Sequence, residues 1–134
     1  MTLSVDHVAI VVRGLDEALA FYRDALGLDV EERCEVPEEG VEIASLSLAN
    51  GSIELVRPMD EQGGISRFLE KRGEGLHHIC FAVDDIAAAM KRLQEGGAAL
   101  ITDQPQEKAD GTRYVFIHPK SAHGVLLELY EKPV

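Results

Sequence analysis

Two dense apolar runs, "VDHVAIVV" at Val5–Val12 and "LHHICFAV" at Leu76–Val83, have the length and the β-branched content of buried strands. Apolar positions at helical spacing follow each run. They are Leu15, Ala18, Leu19 and Tyr22 after the first, and Ile86, Ala89, Met90 and Leu93 after the second. Asp84 or Asp85 can cap the second helix, while Gly27 and the Gly96-Gly97 pair stop the two helices. The resemblance between the halves is positional: His78 lies 71 residues after His7, and "DHVAIVVRGLDEALAFYRDALG" then overlies "HHICFAVDDIAAAMKRLQEGG". The ends match as well, "SIELV" at Ser52–Val56 against "LLELY" at Leu126–Tyr130.

Between helix and end, each copy has room for two short strands. The pattern predicts them at about Asp29–Val36 and Val41–Leu48 in the first copy, joined by the Pro37–Gly40 turn. In the second copy they fall at about Ala98–Gln104 and Gly111–Ile117. Each half therefore reads β-α-β-β-β, with a linker at Met59–Glu74 that holds a short helix over Ile65–Lys71. Neither half buries its sheet alone. The expected organisation is α+β, one domain over residues 1–134, with module one at about 4–58, the linker at 59–74 and module two at about 75–131.

Composition narrows the partners. The chain has 134 residues, 46% of them apolar, which is one domain's length with material for a core. Its 24 acidic against 13 basic residues give a formal charge of −11, which argues against nucleic acid or an anionic membrane as a main partner. No apolar run approaches the roughly 18 residues of a membrane span, and no charged-then-apolar leader opens the sequence. Cys34 and Cys80 stand far apart and in no CxxC pairing, as free thiols do in a reducing, cytoplasmic setting.

Charges inside the apolar strands carry the candidate chemistry. Strand alternation puts His7 on one face with Ala9 and Val11, and Val8, Ile10 and Val12 on the other. Glu54 lies between Ile53 and Leu55, and Glu128 between Leu127 and Leu129. A charge in the middle of an apolar strand is costly unless it is paired or bound. Each module supplies one His on its first strand and one Glu on its last. Two imidazoles and two carboxylates on one sheet surface suit a divalent metal with positions left open for water or substrate. His78, not His77, is the partner of His7 in the repeat, so His77 is expected at the helices or the sheet rim. His118 reads as a strand-end residue before Pro119, and His123 as loop. Cys80 shares the face of His78 and reads as small buried filler.

The paired modules and the His-Glu-His-Glu set resemble the vicinal oxygen chelate, or glyoxalase-like, superfamily. Within it the stretches "DHVAIVV", "FYRDALGL", "VPEEGVEIASL", "IELVRPM", "ISRFLEKRGEGLHHICFAVDDI" and "FIHPKSAHGVLLEL" are similar to the methylmalonyl-CoA epimerase family over nearly the full length. The resemblance implies a cupped mixed sheet with helices on its outer face. It implies an isomerase of propionate metabolism that interconverts (2R)- and (2S)-methylmalonyl-CoA through a metal-stabilised enolate. The implied ligands are His7, Glu54, His78 and Glu128, holding Co, Zn, Ni or Mn. The implied proton carriers are Glu38 of the Pro-Glu-x-Gly turn and Glu128, with Glu39 open as the alternative free base and Glu128 open as base or ligand only. Family members of this size are usually homodimers. Lys71, Arg72, Lys108, Arg113 and Lys120 are candidates to hold the CoA phosphates. Two rivals share the fold. A glyoxalase I-type lactoylglutathione lyase carries a "DPDGY"-like turn where this chain has "HPKSAHG", and a metal-free binding module lacks the ligand set.

Overall fold

A computed structural model describes residues 3–134; residues 1 and 2, which the expected domain also takes in, lie outside the described residues. The chain runs β1 (Ser4–Val11), α1 (Leu15–Leu19), β2 (Val30–Val36), β3 (Val41–Leu48), β4 (Gly51–Pro58), α2 (Gly64–Arg72), β5 (Gly75–Ala82), α3 (Ile86–Glu95), β6 (Gln106–Glu107), β7 (Arg113–Ile117) and β8 (Leu127–Glu131). Single 3-10 turns sit at Pro37–Glu39 and Pro119–Ser121. The contacts divide into two compact units, one of His7–His77 and one of His78–Val134 with the start of β1 up to Asp6.

In the first unit the strand order is β2-β3-β4-β1. β1 runs parallel to β4, with His7 beside Ser52 and Ala9 beside Glu54, while β4 with β3 and β3 with β2 are antiparallel. Alternation then sorts the side chains. Ala44, Leu46 and Leu55 pack with Val12 against Leu15 and Leu19 of α1. Ala9, Val41 and Val56 form a separate cluster on the opposite face, joined by Ile65 of α2.

The second unit repeats the plan in the order β5-β8-β7-β6. β5 and β8 are parallel, with Cys80 beside Glu128, and β7 lies antiparallel to β8, with Phe116 opposite Glu128. Ile86, Ala89 and Met90 of α3 seal Val83, Val115, Ile117 and Leu129. Ile86 is fully buried; an aliphatic side chain of that size contributes about 1.5–3 kcal/mol by leaving water. Of the two candidate caps, Asp85 is the one that serves: its Oδ1 accepts from Ala88 N–H at 3.0 Å. Among the described residues no helix is long and apolar enough to cross a membrane.

Two elements differ from the expected pattern. The first helix loses α geometry after Leu19 and continues as a π-helical stretch over Ala20–Ala25, with Leu26 N–H donating to Phe21 carbonyl at 2.7 Å. The strand expected over Ala98–Gln104 is replaced by a single bridge from Leu100 to Ile117, and β6 comes later, at Gln106–Glu107. The cause is local. Thr102 Oγ1 donates to the Gln104 carbonyl at 2.8 Å, curling the chain, and Pro105 has no N–H to give a ladder.

Candidate functional site

Each unit places one histidine beside one glutamate. In the first, His7 is 1% exposed, and its Nδ1 lies 3.4 Å from Glu54 Oε2. The register explains the contact: Glu54 pairs with Ala9, two residues beyond His7 on the same face of β1. In the second unit His78 Nε2 lies 3.0 Å from Glu128 Oε1, with Glu128 only 3% exposed. Phe116 stands edge-on to the His78 ring at 5.4 Å between centroids, and Cys80, beside Glu128, is fully buried.

Within each unit the separation fits two ligands of a cation. Nitrogen and oxygen donors about 2.0–2.2 Å from a metal, at angles between square and tetrahedral, stand roughly 2.9–3.5 Å apart. Both pairs fall in that range. The donors are imidazole and carboxylate, which suit Zn, Co, Ni and Mn alike. In each unit the carboxylate would offset part of a cation's charge, and a buried carboxylate needs such an offset.

The other residues singled out in the sequence lie elsewhere. His77 stands edge-on to Phe68 of α2, at 5.0 Å between ring centroids. His118 caps the Pro119 turn, its Nδ1 accepting from Lys120 N–H at 3.0 Å, and His123 adopts a left-handed backbone in a loop. Glu38 and Glu39 are both exposed in the turn between β2 and β3. That turn is pinned by Met59 N–H, which donates to the Gly40 carbonyl at 2.7 Å. Of the basic candidates, Lys71, Arg72 and Lys120 are exposed and Arg113 pairs with Glu131 at 3.4 Å. Lys108 is the exception, half-buried with its ammonium 2.6 Å from the Tyr130 hydroxyl. Tyr130 was not singled out in the sequence, although its place two residues after Glu128 puts it on the same strand face.

Comparison with known proteins adds to this geometry. The profile of the Glyoxalase/Bleomycin resistance protein/Dioxygenase superfamily matches residues 6–116. An ethylmalonyl-CoA/methylmalonyl-CoA epimerase of Cereibacter sphaeroides is 42% identical over 127 residues, covering 93% of this chain and 95% of that protein. The mitochondrial methylmalonyl-CoA epimerase of Mus musculus is 39% identical over 126 residues, 93% of this chain and 71% of that protein. A solved methylmalonyl-CoA epimerase in complex with methylmalonyl-CoA and NH4+ superimposes with a TM-score of 0.90 at 31% identity, over 100% of this chain and 97% of the other. That likeness shows the fold class: α+β, with the two tandem βαβββ modules that the apolar pattern predicts and the glyoxalase type that the resemblance implies.

Proposed function

The chain belongs to the glyoxalase/bleomycin resistance protein/dioxygenase superfamily, and from that premise we propose that it is a metal-dependent methylmalonyl-CoA epimerase. The observation that carries the reading is the pair of repeat-related His–Glu couples, at 3.4 and 3.0 Å, in a chain similar to epimerases over more than nine-tenths of its length. We take residues 1–134 as one functional domain, in which His7, Glu54, His78 and Glu128 would hold a single divalent ion. When bound, the ion supplies positive charge to the thioester and carboxylate oxygens of the substrate, which lowers the cost of the enolate by several kcal/mol.

The chain's own groups move the proton. A carboxylate is a weak base for a carbon acid next to a thioester, so it must be held close to C2 and act as the enolate charge is neutralised. Glu38 accepts the C2 proton on one face, and the C–H electron pair passes into the enolate. A proton is then returned to C2 from the opposite face, which inverts the centre. Glu128 is the candidate for that second role, and Glu39 is the alternative to Glu38 in the same turn. Exposure of the turn lets its carboxylates exchange protons with water between turnovers.

Incubation with methylmalonyl-CoA in D₂O tests this reading. Deuterium should enter C2 as the configuration scrambles, and methylglyoxal with glutathione should give no turnover above background. Glu38→Gln keeps shape while removing one carrier, so epimerisation should fall by about 10² or more. Full activity in that variant would pass the role to Glu39. Turnover of the glutathione hemithioacetal without epimerisation would move the chain to the glyoxalase branch.

A further inference from the structure

The turn between the second and third strands is also repeated. Pro37–Gly40 and Lys108–Gly111 lie 71 residues apart, the offset that relates His7 to His78. Both close the same way: Gly40 N–H donates to Pro37 carbonyl at 3.1 Å and Gly111 N–H to Lys108 carbonyl at 3.0 Å, with φ of +67° and +92° at the glycines. The first turn carries carboxylates. The second carries a cation, Lys108, with one carboxylate, Asp110, and the cation is fixed in place.

Lys108 Nζ donates to the Tyr130 hydroxyl at 2.6 Å and lies 4.9 Å from the Tyr130 ring centroid and 5.4 Å from that of Tyr114. Tyr114 pairs with Tyr130 across β7 and β8, and Phe116 pairs with Glu128 two residues along. All four side chains therefore share a face of the second unit, with the α-carbons of Glu128 and Tyr130 about 6–7 Å apart. An ammonium has three donors, and the hydroxyl takes one. Among the described residues Lys108 has no carboxylate within ion-pair distance. Asp110, in the same turn, accepts from Thr112 N–H at 2.9 Å and is the carboxylate that feels the Lys108 charge, from beyond ion-pair distance. A half-buried cation held by two rings and a neutral hydroxyl, in a chain of charge −11, is a site set for an anion from outside.

The face identifies the anion. Lys108 is tied to Tyr130, two residues from Glu128 on the same strand face, where the reacting acyl group belongs on the function proposed above, on which this inference rests. The CoA phosphates are separated from that group by the whole pantetheine arm. We propose that Lys108 is a specificity-determining residue that receives the acyl carboxylate at the oxygen the ion leaves open, so that the site selects 2-carboxyacyl thioesters over simple acyl thioesters.

Calorimetric binding to the metal-loaded protein tests this, with malonyl-CoA and propionyl-CoA as probes that differ in that carboxylate. Lys108→Met should weaken malonyl-CoA by about tenfold or more, the range for a hydrogen bond to a charged group, and leave propionyl-CoA within about twofold. Lys108→Arg should restore most of the malonyl-CoA affinity. Tyr130→Phe, which keeps the ring and loses the tether, should weaken malonyl-CoA by a smaller factor. Retained propionyl-CoA binding reports that each variant is folded. Equal weakening of both probes would make Lys108 a phosphate contact, and no change in either would make it structural; each result overturns the inference while leaving the epimerase reading intact. Failure of the wild-type protein to epimerise methylmalonyl-CoA would overturn both.

Discussion

Gly40 ends the turn that carries Glu38, and the cost of giving it a side chain follows from two separate features. Its φ is +67°, and a β-carbon built there would lie 2.1 Å from Asp60 Oδ2. Holding an alanine in the left-handed region costs about 1–2 kcal/mol. Asp60 must also withdraw, although its Oδ1 accepts from Gln62 N–H at 3.1 Å and Gly63 N–H at 2.8 Å. Asp60 is exposed, so water replaces part of what is lost, and that displacement costs about 1 kcal/mol. Gly40→Ala should therefore destabilise the protein by about 2–3 kcal/mol, lowering the melting temperature by roughly 6–10 °C for a domain of this size. In an Asp60→Ala background the clash is gone, and the same change should cost only about 1–2 kcal/mol. Urea melts of the four proteins give the cycle, and deuterium uptake into methylmalonyl-CoA gives the activity, which should fall with Gly40→Ala because Glu38 is two residues away. Gly40→Ala with wild-type stability, or an equal cost in both backgrounds, would refute the reasoning.

Three further outcomes are expected. His7→Ala or His78→Ala should lose bound divalent metal by elemental analysis while His77→Ala keeps it; the reverse pattern would mean that the repeat has been misaligned. Arg33, and after it Arg57, hold the Glu42 carboxyl below its ordinary value of 4.5, at contacts of 3.1 Å each. Since the unfolded chain then binds that proton more readily, the stabilisation is present above 4.5 and is lost as the pH falls through the lower folded value. Glu42→Gln should flatten the acid limb of a plot of urea midpoint against pH, and an unchanged limb would contradict the assignment. The chain should sediment as a homodimer, because among the described residues β2 pairs only with β3 and so leaves a strand edge that a second copy can cover; a mass near one chain at micromolar concentration would be decisive against it.

Most strands and both His–Glu couples were legible because alternation converts a charge in an apolar run into a statement about which face it occupies. Glu54 and Glu128 stand out for that reason, and the repeat distinguishes His78 from His77. The sixth strand, displaced from Ala98–Gln104 to Gln106–Glu107, is set by local contacts that alternation does not carry. "AALI" at Ala98–Ile101 is apolar enough for a strand, but Ile101 is 54% exposed and the ladder is decided by Thr102 and Pro105 just beyond it. The π-helical stretch at Ala20–Ala25 is invisible for a different reason: its apolar spacing fits an α-helix, and only the hydrogen bond from Leu26 to Phe21 distinguishes the two.

What escaped the sequence altogether were contacts between segments that no periodicity relates. Asp60 reaches Gly40 from a loop twenty residues on, and Lys108 reaches Tyr130 from a hairpin turn. Both contacts fix a turn between the second and third strands of a module, and those turns share a backbone closure but carry different side chains in the two copies. The strands repeat because a βαβββ module needs the same alternation each time to bury its sheet, and the His and Glu repeat with them because they ride on that alternation. The turns carry no packing duty of that kind. One is therefore open to the carboxylates proposed as a base and the other to the cation proposed to read the substrate's charge, on a scaffold whose two halves each supply one His beside one Glu.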